Sequence, residues 1–348
     1  MARKVKTVRV GIVGMGIRGQ MYAATCRQLS NAELVGVCDV ADAARAAATE
    51  QFEVSGFAEV EAMCEKARPD AVVICTPDFA HAAPALAAAQ AGCHLLLEKP
   101  LAMSVAEARQ IADCVADAKV RAMMAFENHW NPPLSAMKAA VAAGELGRLI
   151  SCNSQLDDRI DVPTKLLSWL GRSSPGWFLM AHSVELAGWI AQQKPVSVFA
   201  AGTRGVLNGR GLETYDGIHA VVRFDGGMVG SFSSCWVLPQ SLPLIFQFRH
   251  EMVGTEGSAR ADLTDQMLHK ATAARGDLGG KYEHPSTIGV TMTGSLTSPP
   301  AQMFAQFVAG LISGEPLGCP LEDGLVNVAA IAAIHESIET TKAVEVRV

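Results

Sequence analysis

The sequence predicts an α/β protein in two parts: an N-terminal doubly wound parallel sheet, then an α+β domain with a large, open, mainly antiparallel sheet. Three observations carry this prediction. From Thr7 to about Ala125, short apolar runs alternate with alanine-rich helical stretches, the pattern of repeated strand–helix units. After Phe126 the texture changes to segments in which apolar residues recur at every second position. A chain of 348 residues is also longer than one hydrophobic core usually grows. The division is expected at Phe126, giving domains of residues 1–126 and 127–348.

In order along the chain, strands are expected at Val8–Val13, Leu34–Cys38, Ala71–Cys75, His94–Leu97 and Arg121–Ala125, each a short apolar run bounded by turn residues. Helices fill the intervals, among them Asp78–Ala91 and Val105–Ala118. The second of these opens with Ser104 as N-cap and Glu107 three residues on, a capping box. In the second domain a helix over Pro133–Ala143 leads to a Gly144-Glu145-Leu146-Gly147 turn. Ile218, Ala220, Val222 and Phe224 then share one face of a strand, and Gly226-Gly227 turns the chain into a partner at Met228–Trp236. Further helices are expected across Trp177–Gln192, Pro300–Ser313 and Leu321–Thr341. The stretch Thr264–Pro299, rich in Gly, Ser, Thr and Pro, reads as a long irregular connection.

Composition narrows the function classes. Hydrophobic residues make up 49% of the chain and charged residues 18%, a globular balance, and no apolar run is long enough to span a bilayer. A formal net charge of −6 supplies no basic surface for phosphates, which argues against nucleic acid as a partner. The nine cysteines contain no C-x-x-C pair, and the nine histidines show no metal-ligand spacing, so neither a disulfide framework nor a metal site is expected. The first ten residues carry four basic side chains but no apolar leader pattern. With an odd number of cysteines, this sets the expectation of a reducing, cytoplasmic location.

Gly14-Met15-Gly16-Ile17-Arg18-Gly19 follows the first expected strand directly and opens a helix, the context that gives a G-x-G-x-x-G pattern its meaning. Gly14 allows the tight turn, Gly16 lets the backbone approach a pyrophosphate, and Gly19 permits close helix–strand packing. The phosphates then meet the helix N-terminus, where unpaired N–H groups and the helix dipole favour negative charge. Asp39, at the carboxyl end of the second strand, is placed to accept the ribose hydroxyls of the adenosine half and to repel a 2′-phosphate. Val40, Ala41 and Asp42 follow it with nothing basic, so NAD is favoured over NADP.

Thr76-Pro77, with His81 after it, and Glu98-Lys99-Pro100 stand at the carboxyl ends of expected strands, where open parallel sheets bind ligands. Together with the glycine fingerprint, Ala91-Gly92, Gly144-Glu145-Leu146-Gly147, a histidine helix at His182 and Glu322-Asp323-Gly324, they resemble the family of glucose-fructose oxidoreductase, inositol 2-dehydrogenase and the rhizopine-catabolism protein MocA. The resemblance covers nearly the whole chain, and Glu98-Lys99-Pro100 is its most specific part. It implies a Rossmann domain that holds NAD through Gly14, Gly16, Ile17, Arg18, Gly19, Asp39, Thr76, Pro77, His81, Glu98 and Lys99. It also implies a substrate of sugar, inositol or polyol type. A homodimer or homotetramer is implied as well, made through the open, uncovered face of the second sheet near Ala220–Phe224 and Gly230–Trp236.

By the same resemblance Lys99 and His182 are the catalytic residues. The chemistry supplies a reason: an alcohol loses its O–H proton as its hydride leaves, so a base must stand within hydrogen-bond reach. A lysine taken out of water gives up its proton more readily than a free one, and histidine titrates near neutrality. Many relatives carry an aspartate four residues before the histidine, one helical turn away. Here that position is Phe178, while Glu185 follows His182 by three residues. Further substrate contacts are expected from His129, after the last parallel strand, from Asp158 in the charged run Asp157, Asp158, Arg159 and Asp161, read as a loop, and from Trp169, whose ring can stack on a sugar. Two other functions fit the same motifs. One is a lyase or glycosidase that uses NAD transiently with no net redox change; the other is a non-catalytic NAD-binding redox sensor.

Overall fold

The computed structural model describes residues 7–167, 169–264 and 296–348. They divide into two compact units: the described residues of Met1–Trp130 with Thr287–Leu325, and those of Asn131–Ser286 with Val326–Val348.

The first unit is built on a six-stranded parallel sheet in the order β3-β2-β1-β4-β5-β6. Its strands are β1 (Val8–Val13), β2 (Ala32–Cys38), β3 (Ser55–Phe57), β4 (Ala71–Ile74), β5 (His94–Leu97) and β6 (Ala122–Met124), and the helices between them are α1 (Ile17–Gln28), α2 (Asp42–Phe52), α3 (Val60–Ala67), α4 (Ala82–Gln90) and α5 (Val105–Asp117). Val10, Ile12, Val72, Val73, Ile74 and Leu95 to Leu97 are fully buried, as continuous apolar strands are when helices cover both faces of a parallel sheet. The strand order reverses between β1 and β4, the place where such sheets open a crevice for ligands. Ser104 caps α5 as expected, its hydroxyl accepting from the Glu107 N–H at 3.2 Å.

Three expectations change here. β3 has only three residues and little burial, so no apolar run announces it. The helix expected over Asp78–Ala91 breaks into a tight turn at Asp78–Ala80 and then α4. The boundary expected at Phe126 falls instead after Trp130, and the helix Pro299–Ser313 returns to the first unit. Side-chain contacts explain the return: the Tyr22 ring lies 5.7 Å from that of Phe304, Trp130 Nε1 donates to Gln306 at 2.5 Å, and Arg121 Nη1 donates to the Gly310 carbonyl at 2.7 Å.

The second unit begins with α6 (Pro132–Ala142), followed by β7 (Leu149–Asp158), α7 (Ala181–Ala191), β8 (Pro195–Thr203), β9 (Gly217–Phe224), β10 (Val229–Cys235), β11 (Phe246–Gly254), β12 (Ser258–Asp262), the last helix Leu321–Thr340 and β13 (Val344–Glu345). Its seven strands run β12-β11-β7-β10-β9-β8-β13. Every pair is antiparallel except β10 with β7. Ile218, Ala220, Val222 and Phe224 face the core, as their spacing predicts. The opposite, uncovered face is mixed in character. Phe199, Val221 and Val229 are exposed on it, but Asn153, Gln155, His219, Ser231, Ser233, Arg249 and Glu251 line its middle. The expected helix Trp177–Gln192 is a wide turn, Gly176–Met180, leading into α7. Most of Thr264–Pro299 lies outside the described residues. Among those residues no helix is long and apolar enough to cross a membrane.

His250 sits in β11 on the buried face, with Nδ1 3.0 Å from Ser154 Oγ and Nε2 3.7 Å from Cys152 Sγ. Burial without a carboxylate partner pushes its pKa from 6.5 down to about 3. Between those values the unfolded chain binds a proton that the folded one refuses. Stability therefore falls as pH drops through that window, by up to about 1.4 kcal/mol per pH unit, and is flat above it with respect to this group. Urea unfolding at stepped pH should show this slope. His250→Phe should flatten it, and an unchanged slope in the variant would rule out His250 as its source.

Candidate active site

The carboxyl edge of the parallel sheet is shaped by three glycines. Gly14 leaves β1 with φ +89°, and a Cβ there would lie 2.6 Å from the Cys75 carbonyl oxygen. A Cβ on Gly19 would lie 1.9 Å from the Gly14 carbonyl oxygen, whereas one on Gly16 would meet nothing within 4 Å. Gly14 and Gly19 thus let backbone meet backbone, and Gly16 keeps one side of the loop open. No side chain caps the start of α1, so its first N–H groups face that open side. Ile17 there is 44% exposed. Asp39 stands beside the loop with its carboxylate fixed by the Met15 N–H at 2.7 Å and the Ala41 N–H at 2.8 Å. An open glycine, an uncapped helix start and an oriented acid suit a dinucleotide. No basic group follows Asp39 immediately, but Arg45 reaches back from α2 to donate to the Asp39 carbonyl at 2.8 Å and to Asp42 at 2.5 Å.

Other expected cofactor residues have partners within the protein. His81 is 1% exposed and spends both ring nitrogens on backbone, Nε2 at 2.9 Å from the Thr76 carbonyl and Nδ1 at 2.5 Å from that of Pro100. It ties the exit of β4 to that of β5. Thr76 turns its hydroxyl to the Ala80 carbonyl at 2.9 Å, next to Pro77. Arg18 pairs with Glu98, Nε to Oε1 at 3.3 Å, and with Glu127, while the Tyr22 hydroxyl donates to Glu98 Oε1 at 2.9 Å. Burial alone would lower the Arg18 pKa, but Glu127 and Glu98 outweigh it and hold the guanidinium above its ordinary value. Arg18 and Glu98 therefore neutralise each other. Glu127 and Tyr22 complete the cluster and were not anticipated; a lone acid and a lone tyrosine carry no spacing signal. Lys99 follows Glu98 directly, 6% exposed, with a cis bond to Pro100.

In the second unit, α7 presents a half-buried His182 with the buried Glu185 one turn on. The turn before it is anchored from the last helix. The carbonyl of Ile331 can only accept, so His335 Nδ1 donates to it at 2.8 Å, leaving Nε2 to accept from the Ser174 hydroxyl at 2.7 Å. Trp177 stacks on the same imidazole at 5.2 Å. Phe178 is packed between Trp169 and Trp236, at 5.9 Å from each. Trp169 thus presents its ring to Phe178 as well as to its partly exposed surroundings. On the inner side of this unit the Trp236 Nε1, Ser183 Oγ and Ser234 Oγ atoms are buried without a hydrogen-bond partner, a feature the sequence did not signal.

Asp157 and Asp158 end β7 and are buried, 4% and 7% exposed, so the charged loop expected there is half strand. Asp157 accepts from the Cys235 N–H at 2.8 Å and from Gln155 Nε2 at 2.5 Å, and burial pushes its carboxyl up. Arg159 and Asp161 form a two-pronged ion pair at 2.9 and 2.6 Å. In the first unit His129 is 8% exposed, with Nδ1 3.0 Å from Cys319 Sγ and its ring stacked on Trp130, a packed position. No three His, Cys, Asp or Glu side chains gather as metal ligands among the described residues.

Residues 8–126 match the model of GFO_IDH_MocA, an oxidoreductase family with an NAD-binding Rossmann fold, and residues 134–260 match the GFO/IDH/MocA C-terminal domain. The chain belongs to this family. Its first unit is an NAD-binding Rossmann domain, and the chain is an oxidoreductase by family. It is 26% identical over 347 residues to an inositol 2-dehydrogenase of Rhizobium meliloti, covering 98% of this chain and 99% of that one. It is 24% identical to a myo-inositol 2-dehydrogenase of Thermotoga maritima, over 97% and 98% of the two chains. A solved scyllo-inositol dehydrogenase of Lactobacillus casei with bound NAD(H) and scyllo-inositol shares the fold, with TM-score 0.83, 20% identity and coverage of 98% and 99%.

Two outcomes follow for this GFO/IDH/MocA chain. Gly16→Ala should fold with an unchanged melting temperature yet bind NAD more weakly in calorimetry, because its methyl enters the open side of the loop. Gly19→Ala should instead lower the melting temperature; equal effects at both positions would contradict this division. NAD should bind more tightly than NADP, and Asp39→Ser should narrow the gap, since it removes the like charge and leaves Arg45 beside a 2′-phosphate. Tighter binding of NADP by the unaltered protein would overturn the role of Asp39.

Proposed function

We infer that this chain oxidises a secondary hydroxyl of a sugar, inositol or related polyol to the carbonyl, and reduces that carbonyl in reverse, with NAD(H) as the redox partner. The observation that carries this reading is Lys99. It is a buried lysine at the carboxyl end of β5, the edge where parallel sheets bind ligands, and it is held between the ion-paired Glu98 and the cis-linked Pro100. Bound NAD supplies the hydride acceptor. Lys99 Nζ takes the hydroxyl proton as the C–H hydride leaves, and returns it in the reverse direction. The glycine loop and Asp39 orient the dinucleotide, and His182 holds and polarises the substrate oxygen.

A polyhydroxylated substrate is supported by the inositol dehydrogenases among the relatives. The transient-oxidation and sensor readings find no support in these relatives, all dehydrogenases. With Phe178 one turn before His182, the helix start supplies no acid there, so proton removal rests on Lys99.

Lys99→Ala should lower kcat by the ~10²- to 10⁴-fold that a positioned general base supplies, with NAD affinity little changed. His182→Asn, which keeps hydrogen-bonding capacity, should cost much less. Steady-state rates of nicotinamide reduction across a polyol panel provide the test. A histidine variant more damaged than the lysine variant would reverse the roles, and substrate turnover without any net change in nicotinamide absorbance would overturn the dehydrogenase reading.

A further inference from the structure

Cys64 and Cys93 lie far apart in sequence, yet their Sγ atoms are 3.8 Å apart in the first unit. Cys64 is on α3 and half-buried; Cys93 is 3% exposed, in the short connection that enters β5. The Cys93 thiol has two acceptors, the Cys64 sulfur and the Pro69 carbonyl at 3.3 Å. Both cysteines stand at the amino end of the parallel sheet, since α3 leads into β4 and Cys93 immediately precedes β5. Thr76, Pro77, Lys99 and Pro100 are at the opposite, carboxyl end of those strands.

We propose that Cys64 and Cys93 are a reversible oxidation site, which a peroxide converts into a disulfide tying α3 to the start of β5. A disulfide needs its sulfurs about 2.05 Å apart. The closure required is therefore under about 2 Å, within reach of side-chain rotation and a small shift of the connection before β5.

The Cys64 thiolate attacks one peroxide oxygen, the O–O bond breaks, and the sulfur becomes a sulfenic acid as hydroxide leaves and takes a proton to form water. The Cys93 sulfur then displaces the sulfenic oxygen as a second water. Two thiols lose two electrons in all, and the peroxide gains them. A dithiol reverses the step by exchange.

Cys64 is the suited attacker. The hydrogen bond from Cys93 steadies its thiolate and lowers its pKa, while the same bond and burial raise that of Cys93. Burial pushes the thiols of Cys26, Cys38, Cys75, Cys152 and Cys235 up, away from the reactive form. The closed ring would span about thirty residues, including all of β4 and α4, so the bond should stiffen this part of the sheet without touching the cofactor edge.

The test uses the full, reduced protein treated with equimolar hydrogen peroxide, blocked with N-ethylmaleimide and mapped by mass spectrometry without reduction. A Cys64–Cys93 linked peptide is expected, reversed by dithiothreitol. The melting temperature should rise by about 5 °C and NAD affinity should stay unchanged. Cys64→Ser, at the half-buried position, should fold and lose both the link and the thermal shift. The proposal is overturned if Cys64 accumulates as sulfinic acid with no cross-link. A link to another cysteine such as Cys38, or an unchanged thermal shift in Cys64→Ser, would also overturn it.

Discussion

The cofactor edge depends on how closely α1 is drawn against the strand it follows. There is no room for a single methyl between Gly19 and the Gly14 carbonyl, or between Gly14 and the backbone after β4. That closeness fixes the helix, and the helix fixes what it carries. Arg18 and Tyr22, both on α1, are delivered to Glu98 at the end of β5 and, for Arg18, to Glu127 after β6. Charges taken out of water persist only when paired, so the Glu98 carboxylate needs the guanidinium and the phenol, and its place in turn settles where Lys99 begins. His81 adds a second tie by joining the backbones of Thr76 and Pro100. The spacing of glycines at one strand thus reaches, through a buried ion cluster, a lysine at another.

The second unit positions its histidine by a different device. Gly176 is required because a Cβ there would lie 2.5 Å from the His335 ring, and the stack of Trp177 on that ring uses the space gained. Ser174 then spends its oxygen twice, donating to His335 and accepting from the Trp177 N–H at 3.1 Å. The wide turn so pinned sends Phe178 between two tryptophans and starts α7 immediately afterwards. Burial depresses the pKa of His335, which keeps the imidazole in the neutral form that this pair of bonds demands. An apolar residue at 178 is therefore consistent with its surroundings: an aspartate there would place a charge between two indole rings.

Much of the first unit was legible because its signals are local. β1 and β5 have the bounds that the apolar runs predicted, and Ser104 caps α5 as its spacing to Glu107 required. The glycine loop, too, follows its strand as the fingerprint demands. What sequence could not supply were partners distant along the chain. Glu127 and Tyr22 gain meaning only when folding brings them to Arg18, and the helix Pro299–Ser313 returns to the first unit through contacts of Phe304, Gln306 and Gly310 that no periodicity announces. β7 and β11 escaped because their inward positions include Ser154, Asp158 and His250, which blur the alternation of apolar and polar residues.

That blurred alternation also separates two neighbouring acids. Successive side chains of a strand point to opposite faces, and β7 puts Cys152, Ser154 and Leu156 inward, so Asp158 shares their face and Asp157 the other. Register agrees, because Asp158 pairs with Phe246 in the row that continues through Phe248, His250 and Met252. Asp157 is consumed by structure, held by the Cys235 N–H and by Gln155. Asp158 lies on the face that also holds Phe232 and the unmatched Ser234 hydroxyl of the neighbouring β10. A chain with phenylalanine at 178 therefore still carries a carboxylate on the inner face of this sheet, set there by strand period rather than by helical spacing.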